Sequence, residues 1–232
     1  MFTAINPDLS ISAFESWIPD AGEDFFSKTF DEIPRHITKD VNFIFINTEW
    51  ISFVPRIYFN NADLEQYISL QYGLMPGLTY YSQSIADDIE CVYAYPASLQ
   101  KLIQENYTDA KIFCSAATQT HNIFSKNSSL IFYKNAFSFC LKEENKFRFA
   151  KSTSYQTAAD VMYHVLNVRE VLNIKEVPFM ADVFGFIHKD SPIYKTLVDY
   201  IDVLELPVTG ENDLNEEANY FSHLTKLLAC VL

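Results

Sequence analysis

The residues that could do chemistry in this chain are scattered, and none falls into a spacing that a known reaction needs. Cys91, Cys114, Cys140 and Cys230 show no C-x-x-C pair, and each lies in an apolar stretch. They read as buried free thiols and not as a zinc or redox set. His36, His121, His164, His188 and His223 make no H-x-x-x-H or H-E-x-x-H pair that one helix face could offer to a metal. A Cys91 or Cys114 nucleophile with His121 as its base is open in principle, because sequence separation does not forbid proximity, but no neighbouring element supports it. Asp87, Asp88 and Glu90 form an acidic cluster that reads as a solvated turn ahead of the Cys91 strand. His188-Lys189-Asp190 could be a reactive turn; Ser191 and Pro192, as cap and first-turn residues of a helix, give the plainer account. There is no G-x-S-x-G, no G-x-x-x-x-G-K-S/T and no G-x-G-x-x-G, and the only glycines are Gly22, Gly73, Gly77, Gly185 and Gly210. Neither a catalytic residue nor a metal site is expected.

Composition narrows the partners. The chain has 232 residues, is 49% apolar and 16% aromatic, and can bury a large core. Its 17 Lys and Arg face 30 Asp and Glu, a net charge of −13 that repels phosphate backbones and anionic lipid. The expectation is a protein partner, with no nucleic acid and no membrane. No apolar run approaches the length of a membrane span, and the start MFTAINPDLS lacks a basic and apolar leader pattern. A cytoplasmic location is expected.

The elements that must position any site are irregular at first. Leu9 to Phe14 alternates like a short strand, and Phe25 to Ile37 suits a helix interrupted or ended near Pro34. Val41 to Val54 reads as two strands meeting near Asn47 and Thr48 in a hairpin. A helix over Asn61 to Tyr72 follows, then strands over Leu78 to Ser82 and Glu90 to Tyr95, a helix over Ala97 to Asn106 and a strand over Lys111 to Cys114. Polar residues gather in Thr118 to Ser128, which marks a boundary between halves at 1–122 and 123–232, with an inserted segment near 60–84.

The second half is better punctuated. Leu130 to Tyr133, Phe137 to Leu141 and Phe147 to Ala150 form a meander with polar turns at Lys134-Asn135 and at Lys142 to Asn145. Thr157 caps a helix with Asp160 three residues on; its face is Val161, Val165, Val168 and Leu172, flanked by Met162 and Leu166. A strand within Pro178 to Ile187, a helix over Pro192 to Ile201, a strand over Val203 to Leu206 and a helix over Glu216 to Leu232 complete it. Three strands, then helix, strand, helix, strand and helix, is the element order of a ribonuclease-H-like half-domain. The fold class is α/β, each half a mixed sheet flanked by helices.

The runs FRFAKSTSYQTAADVMYHVLNV and VFGFIHKDSPIYKTLVDYI resemble a family of unknown function, mostly from Bacteroidota, whose fold is that of the actin-like ATPases. WISFVPRIYFNNADLEQYI and CVYAYPASLQKLIQENYTDAKIF are similar to that family's first half. The resemblance implies two ribonuclease-H-like halves facing each other across a cleft. It also implies phosphate-holding hairpins bearing Asp-x-Gly and a Gly-Gly adenosine turn. Here Tyr133-Lys134-Asn135 stands at the second hairpin, and LSISAFESWIPD, flanked by Asp8 and Asp20, stands where the first should begin near Leu9. The single Gly185, followed by Phe186, stands at the adenosine turn; close strand packing explains a lone strand glycine better than a ligand does.

Two functions from different classes follow. One is an actin-like fold without nucleotide chemistry, a pseudo-ATPase serving as an interaction or scaffolding module without a cofactor, with Trp17, Trp50, Tyr80 and Tyr81 as possible contact aromatics that also suit a core. The alternative is a divergent ATP- and Mg²⁺-binding protein. It would use Lys134, Lys151 or Lys189 in place of glycine loops, with Lys134, Asn135 and Gly185 as its cleft positions.

Overall fold

The computed structural model describes residues 2–5, 11–15, 43–86, 88–121, 127–144, 146–174, 179–205 and 216–230. The helix expected over Phe25 to Ile37, and Trp17, lie outside them.

The chain opens with β1 (Phe2–Ile5) antiparallel to β2 (Ile11–Glu15). The first hairpin therefore starts at Phe2 and not near Leu9; Asp8 and Asp20 lie outside the described residues. A four-residue strand at the very start is too short to carry a periodic signal. β3 (Phe43–Ile46) and β4 (Ile51–Pro55) follow, then two short 3-10 turns and α1 (Leu64–Tyr72). β5 (Leu78–Ala86), β6 (Ile89–Pro96), α2 (Ala97–Asn106), β7 (Lys111–Cys114) and α3 (Ser115–Thr118) complete the first part.

The hairpin expected over Val41 to Val54 does not form. β3 pairs in parallel with β7, whereas β4 pairs antiparallel with β6, in a separate sheet of order β4-β6-β5. The polar residues between β3 and β4 are used elsewhere: the Thr48 hydroxyl donates to the Ala94 carbonyl at 2.8 Å, and Asn47 Oδ1 accepts from Ser152 Oγ at 2.8 Å. They anchor the crossing between sheets and do not close a turn. β6 is buried on both faces. Cys91, Tyr93 and Tyr95 join Ile46, Ile51, Ile103 and Cys114 on one side, while Val92 and Ala94 meet Val54 and Ile68 of α1 on the other. Tyr81 stacks on Tyr95 at 5.3 Å, and Trp50 and Tyr80 pack beside Ile68, so these aromatics belong to the core.

β8 (Ser128–Phe132), β9 (Ala136–Glu143) and β10 (Lys146–Ser154) form the expected antiparallel meander. α4 (Ala158–Val171), β11 (Met180–Gly185), α5 (Pro192–Val198), β12 (Val203–Glu205) and α6 (Glu216–Ala229) follow. β11 runs parallel to both β8 and β12, giving the order β10-β9-β8-β11-β12. Numbered from the first strand of this half, that order is 3-2-1-4-5, the ribonuclease-H-like sheet. Alternation sorts its faces. Leu130, Phe132 and Val183 meet Val161 and Val165 of α4 and Leu197 of α5, whereas Ile131 and Phe184 meet Leu227 of α6. α5 stops at Val198, short of Ile201, although its Ser191 cap and Pro192 entry are as expected.

Polar side chains tie the first part of the chain to the second. Gln119, fully buried after α3, donates through Nε2 to the Ser129 carbonyl at 2.9 Å and to Ser129 Oγ at 2.8 Å, and its Oε1 accepts from Ser138 Oγ at 2.7 Å. Phe53 and Phe147 meet with ring centroids 4.6 Å apart.

Candidate functional site

The β8–β9 turn is held tightly for a turn without glycine. Tyr133 N–H donates to the Ala136 carbonyl at 2.8 Å. Tyr155, just past β10, latches the turn from outside: its N–H donates to the Asn135 carbonyl at 3.1 Å and its hydroxyl to the Tyr133 carbonyl at 3.2 Å. The Tyr155 ring meets Phe132 and Phe137 edge-on, at 5.8 and 6.0 Å. Two consecutive backbone N–H groups, Gln156 and Thr157, then point at the Asp160 carboxylate at 3.0 and 2.8 Å, and Asp160 N–H donates back to Thr157 Oγ1 at 3.3 Å. This is the capping box read from the sequence. Those N–H groups hold the Asp160 carboxyl below its usual range.

Between the turn and the start of α4 lies an open polar cavity of about 630 Å³, lined by Lys134, Asn135, Ser154, Tyr155, Gln156, Asp160, Tyr163 and His164. Burial holds the His164 imidazole below its usual value, reinforced by Lys151 and opposed by Asp160. Lys134 and Asn135 thus share a cavity, with Lys151 near its His164 wall. Lys189 is exposed in the turn before α5. Gly185 is not among the lining residues. It ends β11 with φ +87°, and a Cβ there would stand 2.0 Å from the Phe132 carbonyl oxygen. The missing side chain lets Phe186 N–H donate to that same carbonyl at 2.8 Å. Close packing, the plainer reading of this glycine, describes its surroundings.

The inner side of the turn is apolar. Tyr133 packs with Ile131, Phe184, Leu227, Leu224 and Phe45, the last from β3. Its ring stands edge-on to His223 at 5.9 Å, and His223 is fully buried on α6. Burial pushes the Tyr133 phenol far above its usual value. His223 could have been found in the sequence, since it stands four residues before Leu227 on the apolar stripe of α6. Tyr155 lies in a polar stretch and carried no such signal.

The other chemical candidates do not line this cavity. Cys91 and Cys114 lie in one core cluster, while His121 is shifted down by burial and by Lys142, not by either thiol. Glu90 corrects the solvated-cluster expectation. Asp88 is exposed, but Glu90 is 8% exposed, takes Arg56 Nη2 at 2.8 Å and the Ser84 hydroxyl at 2.6 Å, and is buried because those donors satisfy it. Among the described residues, no three His, Cys, Asp or Glu side chains gather as a metal set. Nor, among them, is any helix long and apolar enough to cross a membrane.

Known structures share this architecture. The chain is similar to a protein of unknown function with an actin-like ATPase fold from Bacteroides thetaiotaomicron VPI-5482, at 14% identity and TM-score 0.70, over 86% of this chain and 83% of that one. It is similar to a PilM–PilN type IV pilus biogenesis complex at 10% identity and TM-score 0.57, over 89% and 85%. It is also similar to the cytoplasmic domain of EpsL, an inner-membrane component of the type II secretion system of Vibrio cholerae, at 8% identity and TM-score 0.50, over 97% and 85%. No curated protein matches. At these identities the likeness concerns the fold, which is two ribonuclease-H-like halves in the actin-like arrangement. The family model that matches covers residues 36–204, and the chain belongs to the family described as "Protein of unknown function (DUF3822)".

Proposed function

We propose that this protein is a protein-interaction or scaffolding module that keeps the actin-like fold without using it for nucleotide hydrolysis. One observation carries the reading: Tyr133 occupies the hairpin position where the fold's ATPases would offer a carboxylate, and its ring is packed against Phe45 and the residues of α6. An aromatic ring there joins β3 of the first part to the sheet and terminal helix of the second, so the place of a phosphate contact serves as a packing contact. The likeness to a pilus biogenesis complex and to a secretion-system component supports a protein partner. Residues 1–122 and 123–232 are taken as the two halves. Free, mostly buried cysteines suit a reducing cytoplasm.

A second reading, ATP binding by backbone amides and Lys134, draws on the exposure of Lys134 and Asn135 beside the polar cavity. Thermal melting with ATP, ADP and a non-hydrolysable analogue, with and without Mg²⁺, separates the two, because a ligand of the native state must raise its Tm. The interaction reading expects a flat response. A Mg²⁺-dependent rise that Lys134→Ala abolishes would replace it with the nucleotide reading.

A further inference from the structure

Among the described residues, four of the five most exposed large apolar side chains lie between Ile57 and Leu74: Ile57 is 83% exposed, Tyr58 71%, Leu70 77% and Leu74 83%, with Val171 at 73% on α4 and Tyr163, Leu166, Val198 and Tyr200 less exposed. The local fold gathers them. The Tyr67 hydroxyl donates to the Tyr58 carbonyl at 2.6 Å, which pins the 3-10 turn of Ile57 and Tyr58 onto α1. Leu70 stands three residues beyond Tyr67, hence on the same side of the helix. Gly73 closes the helix onto the Ser69 carbonyl at 2.8 Å, and Leu74 follows it. The core side of α1 is met by Ile68, which is 1% exposed, so the outward leucines contribute nothing to the core. Large apolar side chains grouped on one local unit of a protein surface mark an interaction site more often than singly scattered ones do.

Charge selects the occupant. Between Ile51 and Pro96 the single basic residue is Arg56, against Asp63, Glu65, Asp87, Asp88 and Glu90. Arg56 is engaged with Glu90 at 2.8 Å, while Asp63 and Glu65 stand at the start of α1, the helix whose end carries Leu70. A second copy of a chain with net charge −13 would set acid against acid. We propose that α1 and the turn before it form a docking face for a basic, amphipathic segment of a partner protein, with Leu70 and Leu74 as apolar anchors and Asp63 and Glu65 as charge contacts. This rests on the interaction reading above and gives it a face and a partner chemistry.

Two synthetic helical peptides with identical leucine spacing, one carrying lysine and the other glutamate at the remaining positions, test it by fluorescence anisotropy on the full chain. The lysine peptide is expected to bind, and to weaken as salt rises. Leu70→Ala combined with Leu74→Ala should lower its affinity on the order of tenfold, and Asp63→Lys should weaken it as well. Val171→Ala, at an exposed position on α4, should leave it unchanged. The proposal is overturned by no binding of the lysine peptide, by equal binding of both peptides, by binding indifferent to the leucine pair, or by sedimentation showing a dimer that the leucine pair breaks. A failed peptide with a flat nucleotide response removes only this face; a nucleotide response removes the interaction reading itself.

Discussion

The main chain of Phe132 occupies the space that a side chain on Gly185 would need. The Cβ of an alanine there would stand 2.0 Å from the Phe132 carbonyl oxygen, with φ at +87°. Gly77 has nearly the same φ, +78°, yet a Cβ at that position would meet nothing within 4 Å. The pair separates conformational strain from steric exclusion. Gly77→Ala should cost about 1 kcal/mol, the ordinary left-handed penalty, and Gly185→Ala about 3 kcal/mol or more, since backbone must move as well. Urea unfolding of both variants is the measurement, and equal losses would deny the close approach any role.

Gln119 is a second sensitive point, for a different reason. It is fully buried, and its side chain makes three hydrogen bonds, to the Ser129 carbonyl, Ser129 Oγ and Ser138 Oγ. Gln119→Leu removes all of them and leaves two serine hydroxyls and a carbonyl to be satisfied without water, at a cost of roughly 2–4 kcal/mol. If denaturation showed a loss no larger than that of an exposed substitution such as Gln104→Leu, the network would not be holding these segments together.

The Asp160 carboxylate ties stability to pH. Its folded-state pKa is depressed by the Gln156 and Thr157 N–H groups. A depressed carboxylate stabilises the fold above its unfolded value, about 3.9, and that contribution is lost as pH falls through the folded value. The stability difference between the wild type and Asp160→Asn should therefore be steady near neutrality and shrink in acid. Thr157→Ala, which removes the reciprocal bond, should cost about 1 kcal/mol at pH 7. A pH-independent difference for Asp160→Asn would show that the capping charge contributes nothing.

What the sequence revealed tracks how local the determining physics is. The Thr157–Asp160 box, the Ser191-Pro192 entry and the Lys134-Asn135 turn are each written within a few residues and appear where the sequence places them, whereas the turn expected over Lys142 to Asn145 is shorter, because Lys142 and Glu143 continue β9 and pair with β10. β3 and β4 were legible as strands but not as members of different sheets, because alternation says that a strand is half-buried without naming its neighbour. The partners of Thr48 and Asn47 lie 46 and 105 residues away. The candidate cavity shows the same division. Lys134 and Asn135 could be marked by their place in a turn, whereas Tyr155 and His164 reach it only through the packing of β10 and α4.

Thiol chemistry gives the last test. Cys91, Cys114 and Cys140 are buried, and Cys230 is partly accessible. Burial raises the Cys140 thiol to about 12, with Lys142 opposing, and it raises Cys230 to a lesser extent. Reaction needs both thiolate and access, so a thiol reagent such as Ellman's should modify Cys230 first in the native protein, and the other three only on the timescale of unfolding. Cys230→Ser should then abolish the early phase and leave the slow one. Rapid labelling of Cys91 or Cys114 in that variant would mean that the core around β6 and β7 opens readily, and would bring the thiol–His121 dyad back into consideration.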